Sequence, residues 1–347
     1  MNPIAIYTGD FTIYWSGIII ALGIAVCLCM TLALYPMSGR SNAAVWVMFP
    51  FALFFSVVLS RTIYWYCHIE QYASIRDALL NYSTGSFCIP GVILGTWLGA
   101  LVPRLLKLTD SAGRLLDAAS PGMALCIALI RVSALFNNSC RSHIIITDKV
   151  FQRLPVAVPF TDSAGNVNYR FATFSVEFLL MILVAVLLIV FYCDHRDDRL
   201  RGGNKGGNVA RRFLLYYGAV EIIMDSTRYD SHLYHFTFFK DLNRFASFIS
   251  IAQVFAAVTI LCVLIHYMRV SIKARGWKWY HIALLLVYLA SLLGVGYFGE
   301  YKVQRTGLYA RCYIIQSVSL LVMAWVACMM YRTCKAKKKR RAAADEA

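Results

Sequence analysis

The feature that most restricts this chain is a succession of apolar runs, each long enough to cross a bilayer. They fall at about 12–35, 44–65, 88–107, 115–136, 172–193, 246–268, 280–299 and 309–331, against the ~20 residues a helix needs to span the hydrocarbon. A ninth segment, 212–228 with sequence RRFLLYYGAVEIIMDST, is shorter and more polar. Inside lipid each backbone N–H and C=O must find a partner within its own segment, so runs of this kind can only be helices. Hydrophobic residues make up 59% of the 347 residues and mean hydropathy is +0.60, which excludes a water-soluble domain of this length. The expected fold is all-α, a polytopic membrane helical bundle of about nine transmembrane spans.

Charge sets the expected topology. The formal net charge is +16, but Lys and Arg stand in short clusters between apolar runs, which suits topogenesis and anionic lipid and gives no reason to expect nucleic acid as a partner. With 212–228 counted as a span and the N-terminus outside, the inner loops hold Arg40, then Arg104, Lys107 and Arg114, then the cluster from Arg196 to Arg212, then Arg269, Lys273, Arg275 and Lys278, and last the tail KAKKKRR. The outer loops hold markedly fewer, as the positive-inside rule requires. The opening MNPIAIYTGD has no basic residue before the first apolar run, so that span is expected to be retained rather than cleaved as a signal peptide. Of eleven cysteines, Cys27, Cys29, Cys126, Cys262 and Cys328 lie inside apolar runs and none has metal-ligand spacing. They read as small packing residues, and neither a metal nor a soluble cofactor is expected.

The loops carry less information. Residues 194–212 (DHRDDRLRGGNKGGNVARR) read as a solvated cytoplasmic linker. Residues 137–171 form the longest outer loop, with turn signals at Asp162–Asn166 that predict a small hairpin or lid. Between the second and third spans, HIEQYASIRDALLNYS has helical spacing of apolar residues and predicts an interfacial amphipathic helix.

The stretch LDAASPGMALCIALIRVSALFNN, 116–138, carries Arg131 about two turns before its end. A guanidinium inside a span is costly unless it faces protein, water or an anion. The topology places Arg61, Arg131, Asp225 and Arg228 near the outer ends of their spans, and Glu177, Ser250 and Gln253 near the outer starts of theirs. Ser86, Phe87 and Cys88 begin the third span from the same side. Residues from six spans thus meet at one depth. Arginine suits phosphate because its planar fork donates two parallel hydrogen bonds and stays charged, and the obvious anion at that depth is a phospholipid headgroup. The competing reading is a purely structural salt-bridge network, in which Glu221 is a helix-to-helix tie.

Several stretches share order and spacing with one set of motifs. The first span opens IYWSG, similar to H-W-Y-G, and the second ends SRTIYW, similar to G-G-R-x-x-Y. Asp117, Pro121 and Arg131 keep the spacing of an aspartate leading to G-R-x-G-N-F-x-N, here ending IRVSALFNN. YRFATFSVEFLL is similar to R-H-P-S-Q-L-Y-E at Arg170 and Glu177. YYGAVEIIMDSTR is similar to Y-G-x-x-R-x-x-x-E-x-x-R at Tyr217, Gly218, Asp225 and Arg228, and SIAQ to S-M-G-Q at Ser250 and Gln253. Over about residues 11–268 the chain therefore resembles prolipoprotein diacylglyceryl transferase, the bacterial membrane enzyme that moves diacylglyceryl from phosphatidylglycerol onto the cysteine thiol of a lipoprotein signal sequence. The resemblance implies Arg131, Arg228, Glu177 and Asp225 as catalytic residues. It implies phosphate binding by Arg61, Arg131, Arg228, Tyr14, Asn137 and Gln253, with phosphatidylglycerol and prolipoprotein signal peptides as partners in the cytoplasmic membrane. Two further spans, within 269–331, and a basic cytoplasmic tail, 332–347, lie beyond it.

The departures are as specific as the matches. Where the family motif S-x-H-G-G has histidine, TGSFCIPG offers Cys88 or Pro90. Ser16 replaces a tyrosine, Ala134 an asparagine and Ser139 a glutamate. A non-catalytic relative that binds phospholipid or lipoprotein precursor, and a small-solute transporter, are the rival functions. The lack of an internal repeat tells against the transporter.

Overall fold

The computed structural model describes residues 3–8, 12–67, 72, 74–80, 87–137, 142, 144–161, 166–194, 206–228, 250–298 and 309–345. A hairpin of β1 (Ile4–Tyr7) and β2 (Thr12–Tyr14) leads into α1 (Trp15–Leu34). Next come α2 (Ala43–Cys67), a short α3 (Ile75–Leu80), α4 (Ile89–Leu105), α5 (Ala112–Asn137), a single turn α6 (Lys149–Gln152), and the antiparallel pair β3 (Ala157–Thr161) and β4 (Val167–Phe171). The chain then runs through α7 (Thr173–Asp194), α8 (Asn208–Ser226), α9 (Ile251–Arg275), α10 (Trp279–Gly296) and α11 (Tyr309–Asp345). Seven of the described helices, α1, α2, α5, α7, α9, α10 and α11, are long and apolar enough to cross a membrane, and α4 is a shorter apolar one. The protein is an all-α, multi-pass membrane bundle.

Small residues decide how closely α2 and α4 approach. In GVILGTWLG the glycines 91, 95 and 99 recur every four residues, so they line one face of α4. A Cβ on Gly95 would lie 2.2 Å from the Ser56 backbone nitrogen, and one on Gly99 2.5 Å from the Ala52 Cα. Backbone therefore lies on backbone, the arrangement that drives helix association where the surrounding lipid is as apolar as leucine. The serines across the seam are used as well: Ser56 Oγ donates to the Val92 carbonyl at 3.1 Å, and Ser60 Oγ donates to the Cys88 carbonyl at 2.7 Å and accepts from the Cys88 amide. The α1–α5 contact uses the same device, with Gly23 against Cys126 and Gly122 against Cys27. Both of those thiols are buried packing groups, whereas Cys29, Cys262 and Cys328 are exposed.

Helix α8 is less apolar than α1, α2, α5 and α7 before it, and its place is fixed from α5. The buried Asp117 carboxylate accepts the amides of Gly207 at 2.7 Å, Val209 at 2.8 Å and Ala210 at 2.9 Å. These are orphan donors at the start of a helix, and an anion there also meets the positive end of the helix dipole. Gly206 and Gly207 have φ of +77° and +91°, and a Cβ on Gly206 would sit 2.6 Å from the Arg114 nitrogen, so only glycine fits this turn. Fourteen residues further along each helix, at Arg131 and Glu221, the two meet again. At 1.5 Å per residue this is about 21 Å of parallel register.

Two apolar cores share α8. One gathers α1, α2, α4, α5 and α7 with Phe213 and Tyr217, and the other gathers Ile222 with α9, α10 and α11, including Ile260, Tyr288, Leu320 and Met323. Outside the bundle, the β3–β4 hairpin meets the expectation for 137–171, and an isolated bridge from Ile145 to Arg170 adds to it. Its turn, 162–165, and the linker 195–205 lie outside the described residues. Of the stretch expected to be an interfacial helix, six residues, Ile75–Leu80, are helical. The tail expected beyond 331 continues α11 as helix to Asp345.

Candidate functional site at one end of the bundle

Five charged side chains from three helices converge where α5 and α8 end and α7 and α9 begin. Arg131 is two turns from the end of α5 and Glu177 lies in the first turn or so of α7. Glu221 and Asp225 are one turn apart on α8, and Arg228 follows its end. Glu177 is the bridge. Its Oε1 accepts from an Arg228 terminal nitrogen at 2.6 Å, and its Oε2 lies 3.0 Å from Arg131 Nε. Both Glu221 oxygens face Arg131 Nη2, at 2.8 and 3.1 Å, and Oε1 is also 3.7 Å from Arg228 Nη1. Asp225 Oδ1 accepts from Arg228 at 2.7 Å, while Oδ2 takes the Ser250 hydroxyl.

Every one of these side chains is almost fully buried, at 8% exposure or less. An isolated buried ion would be several kcal/mol unfavourable, so the charges persist only as a set. Among the described residues, three carboxylates face two guanidiniums, which leaves one formal negative charge in excess.

Neutral groups hold the frame. Ser142 Oγ donates to the Thr227 carbonyl at 2.6 Å, the hydroxyls of Thr173 and Thr227 are 2.9 Å apart, and Ser142 forms a backbone bridge with Arg228. Ser250 and Gln253 form a reciprocal capping box at the start of α9, so the S-x-x-Q spacing has a mechanical meaning: it fixes the hydroxyl that Asp225 accepts. Tyr217, one turn before Glu221, lies beside its carboxylate. The buried Cys88 thiol is within electrostatic reach of Glu221 and Asp225.

The structure thus brings together Arg131, Glu177, Asp225 and Arg228, with Gln253 supporting from α9. Three other sequence candidates are placed differently. The Arg61 guanidinium, buried at 1% exposure, donates from Nε at 3.0 Å and from Nη2 at 2.6 Å to the Ala78 carbonyl, and it lies against the rings of Tyr64 and Phe87. Its described contacts secure α3 to α2 and include none of the five. Tyr14 ends β2 and is half exposed, next to Trp15, which stacks on Phe136 at the end of α5. Asn137 is the last residue of α5. Ser86 and Ser139 are outside the described residues.

Glu221, expected in one reading to be a helix-to-helix tie, does tie α8 to α5 through Arg131, and it does so at the centre of the site. Two signals pointed there. Tyr217, Glu221 and Asp225 follow at four-residue intervals on one helix face, and Glu221 fills the position where the motif Y-G-x-x-R-x-x-x-E-x-x-R has arginine. An apolar recess between α4, α5 and α8, lined by Trp97, Leu116, Met123, Ala210 and Phe213, lies toward the opposite end of the bundle.

Residues 3–269 match the sequence profile of the family described as prolipoprotein diacylglyceryl transferase. Relatives include phosphatidylglycerol–prolipoprotein diacylglyceryl transferase 1 of Clostridium perfringens, 26% identical over 233 residues, which are 67% of this chain and 84% of that protein. A like-named protein of Clostridium kluyveri is 24% identical over 232 residues, with 67% and 86% covered, and one of Limosilactobacillus reuteri is 23% identical over 237 residues, with 67% and 82% covered. With more than half its length inside that profile and the motif residues of four helices gathered at one buried site, the chain belongs to the prolipoprotein diacylglyceryl transferase family.

Proposed function

We propose that this protein transfers diacylglyceryl from phosphatidylglycerol to the cysteine thiol of a prolipoprotein signal sequence. The observation that carries the reading is the pair of buried guanidiniums, Arg131 and Arg228, held side by side by the single carboxylate of Glu177 in a chain of this family. In the transfer the thiol sulfur bonds to the glycerol carbon, the carbon–oxygen bond to phosphate breaks, and glycerol phosphate leaves. The thiol proton ends on a carboxylate or on the departing phosphate. An unperturbed thiol, with pKa near ~8.5, is only a few per cent ionised at neutral pH, so a base or a positive field is needed. Arg131 and Arg228 stabilise the charge that builds on the leaving phosphate, while Glu177 and Asp225 aim the guanidiniums, and either can accept the proton. No cofactor is required by this chemistry. The test is conversion of a lipobox peptide in phosphatidylglycerol vesicles: a thioether product supports the reading.

A second reading, binding of phospholipid or precursor without transfer, is favoured by one observation. Cys88, one of the two residues that stand where the motif has histidine, has its backbone clasped by Ser60 and its thiol buried. Bound phosphatidylglycerol with no product from any phospholipid would select it.

For the membrane arrangement we propose nine crossings in the cytoplasmic membrane, with the N-terminus outside and the C-terminus cytoplasmic. Residues 1–268 then form the transferase bundle, 269–331 two additional spans and 332–347 a basic tail. The 21 Å parallel register of α8 with α5 supports counting α8 as a crossing. Single cysteines at Asn166 and Asn204, probed with a membrane-impermeant reagent in intact cells, should label only at position 166. Labelling at 204 would reverse the topology.

A further inference from the structure

Helix α11 lies beyond the family-matched residues, yet it reaches the site. Gln316, buried at 1% exposure, sets its amide against Ser226 Oγ, with Nε2 donating to it at 3.3 Å and Oε1 3.4 Å away, while the Ser226 hydroxyl makes its shorter bond, as donor, to the Ile223 carbonyl at 2.6 Å. One turn earlier, the Tyr313 hydroxyl donates to the Ser226 carbonyl at 3.3 Å. That carbonyl is among the last four of α8, which have no partner within the helix. Ser226 is the residue between Asp225 and Thr227, two positions before Arg228. The apolar face of α11 is already covered by α9 and α10, so packing alone does not call for a buried amide here, and burying one without a bond costs roughly 1–3 kcal/mol.

We propose that Gln316 and Tyr313 are positioning residues for the arginine–carboxylate site. They clamp the last turn of α8 from outside the family bundle and thereby set where Asp225 and Arg228 stand. The effect on turnover rests on the transferase reading above, whereas the effect on the backbone does not. Full-length protein is compared with Gln316→Met, Tyr313→Phe and Ser226→Ala, and with Gln316→Met combined with Ser226→Ala. Cys328→Ala, an exposed change on the same helix, is the control. Gln316→Met should lower kcat about tenfold with KM for phosphatidylglycerol unchanged within about twofold, since small misplacements of charged groups act on the transition state. Amide hydrogen exchange of residues 222–228 should speed up, while that of α5 is unaltered. In the Ser226→Ala background the Gln316→Met change should add nothing further, because the bond it removes is already gone. Unaltered kcat and exchange in Gln316→Met, or an equal loss in both backgrounds, would overturn the proposal. If the parent protein forms no thioether, the transferase reading fails, and faster exchange at 222–228 still supports the clamp.

Discussion

Alanine at Arg131 or at Arg228 should abolish thioether formation from phosphatidylglycerol, a loss of at least about 100-fold, the scale seen when one preorganised donor to a developing anion is removed. Each guanidinium contacts two or more carboxylates, so truncation also leaves buried anions uncompensated. Breaking one side of such a network is destabilising by about 3–5 kcal/mol, and melting in detergent must be recorded beside activity. Lysine separates the two effects. It retains the charge and so most of the stability, but an ammonium cannot form the bidentate fork that a phosphate uses. Arg→Lys at either position should therefore fold near normally and recover only part of the rate. Product formed at the parent rate by both alanine variants would show that the phosphate is held elsewhere.

Glu221→Gln should tighten the binding of phosphatidylglycerol by about tenfold. Among the described residues the parent cluster has one more carboxylate than guanidinium, and both Glu221 oxygens lie on Arg131. An incoming phosphate must take that place. Held ~5 Å from an ionised carboxylate at an effective dielectric of ~20, it is repelled by about 3 kcal/mol, and relief of half of this is about tenfold in affinity. Glutamine keeps the shape and one acceptor for Arg131, so the fold should tolerate it. The measurement is competition of phosphatidylglycerol against a fluorescent lipid analogue in the purified protein. Weaker binding by the variant would mean that the carboxylate aims Arg131 rather than competing with its ligand.

Much of the site could be read from residue positions because depth in a membrane follows from counting. Once α8 was treated as a crossing, Arg131, Glu177, Asp225 and Arg228 had to lie at one end, and charges at one depth in lipid gather together. Which way a side chain points around its helix is another matter. Arg61 shares the depth but faces α3 and the Ala78 carbonyl, and nothing in a six-residue helix announces that it will supply an acceptor. Glu221 was legible from its spacing to Tyr217 and Asp225, yet a single carboxylate on a helix gives no sign of whether it ties or competes. Asp117 was visible as a motif position, while its task, capping a helix ninety residues downstream, depends on packing that no local pattern encodes. The four-residue spacing of the glycines in GVILGTWLG, which the sequence reading above does not use, matches the close contact of α4 with α2.

The parallel register of α5 and α8 also has a consequence for how the protein is made. Helix α8 carries Glu221 and Asp225 within its length and Arg211 and Arg212 near its start, and a charged residue at the centre of a span costs about 2.5–3.5 kcal/mol on insertion. It is therefore a poor candidate for entering lipid alone. By the time α8 leaves the ribosome, however, Asp117, Arg131 and Glu177 have all been synthesised on α5 and α7, and they present an anion for its first amides and countercharges for its last turns. With α8 a crossing, as proposed above, biogenesis would be sequential: the earlier helices retained beside the insertion machinery as a template, and α8 recruited to them rather than to the bilayer.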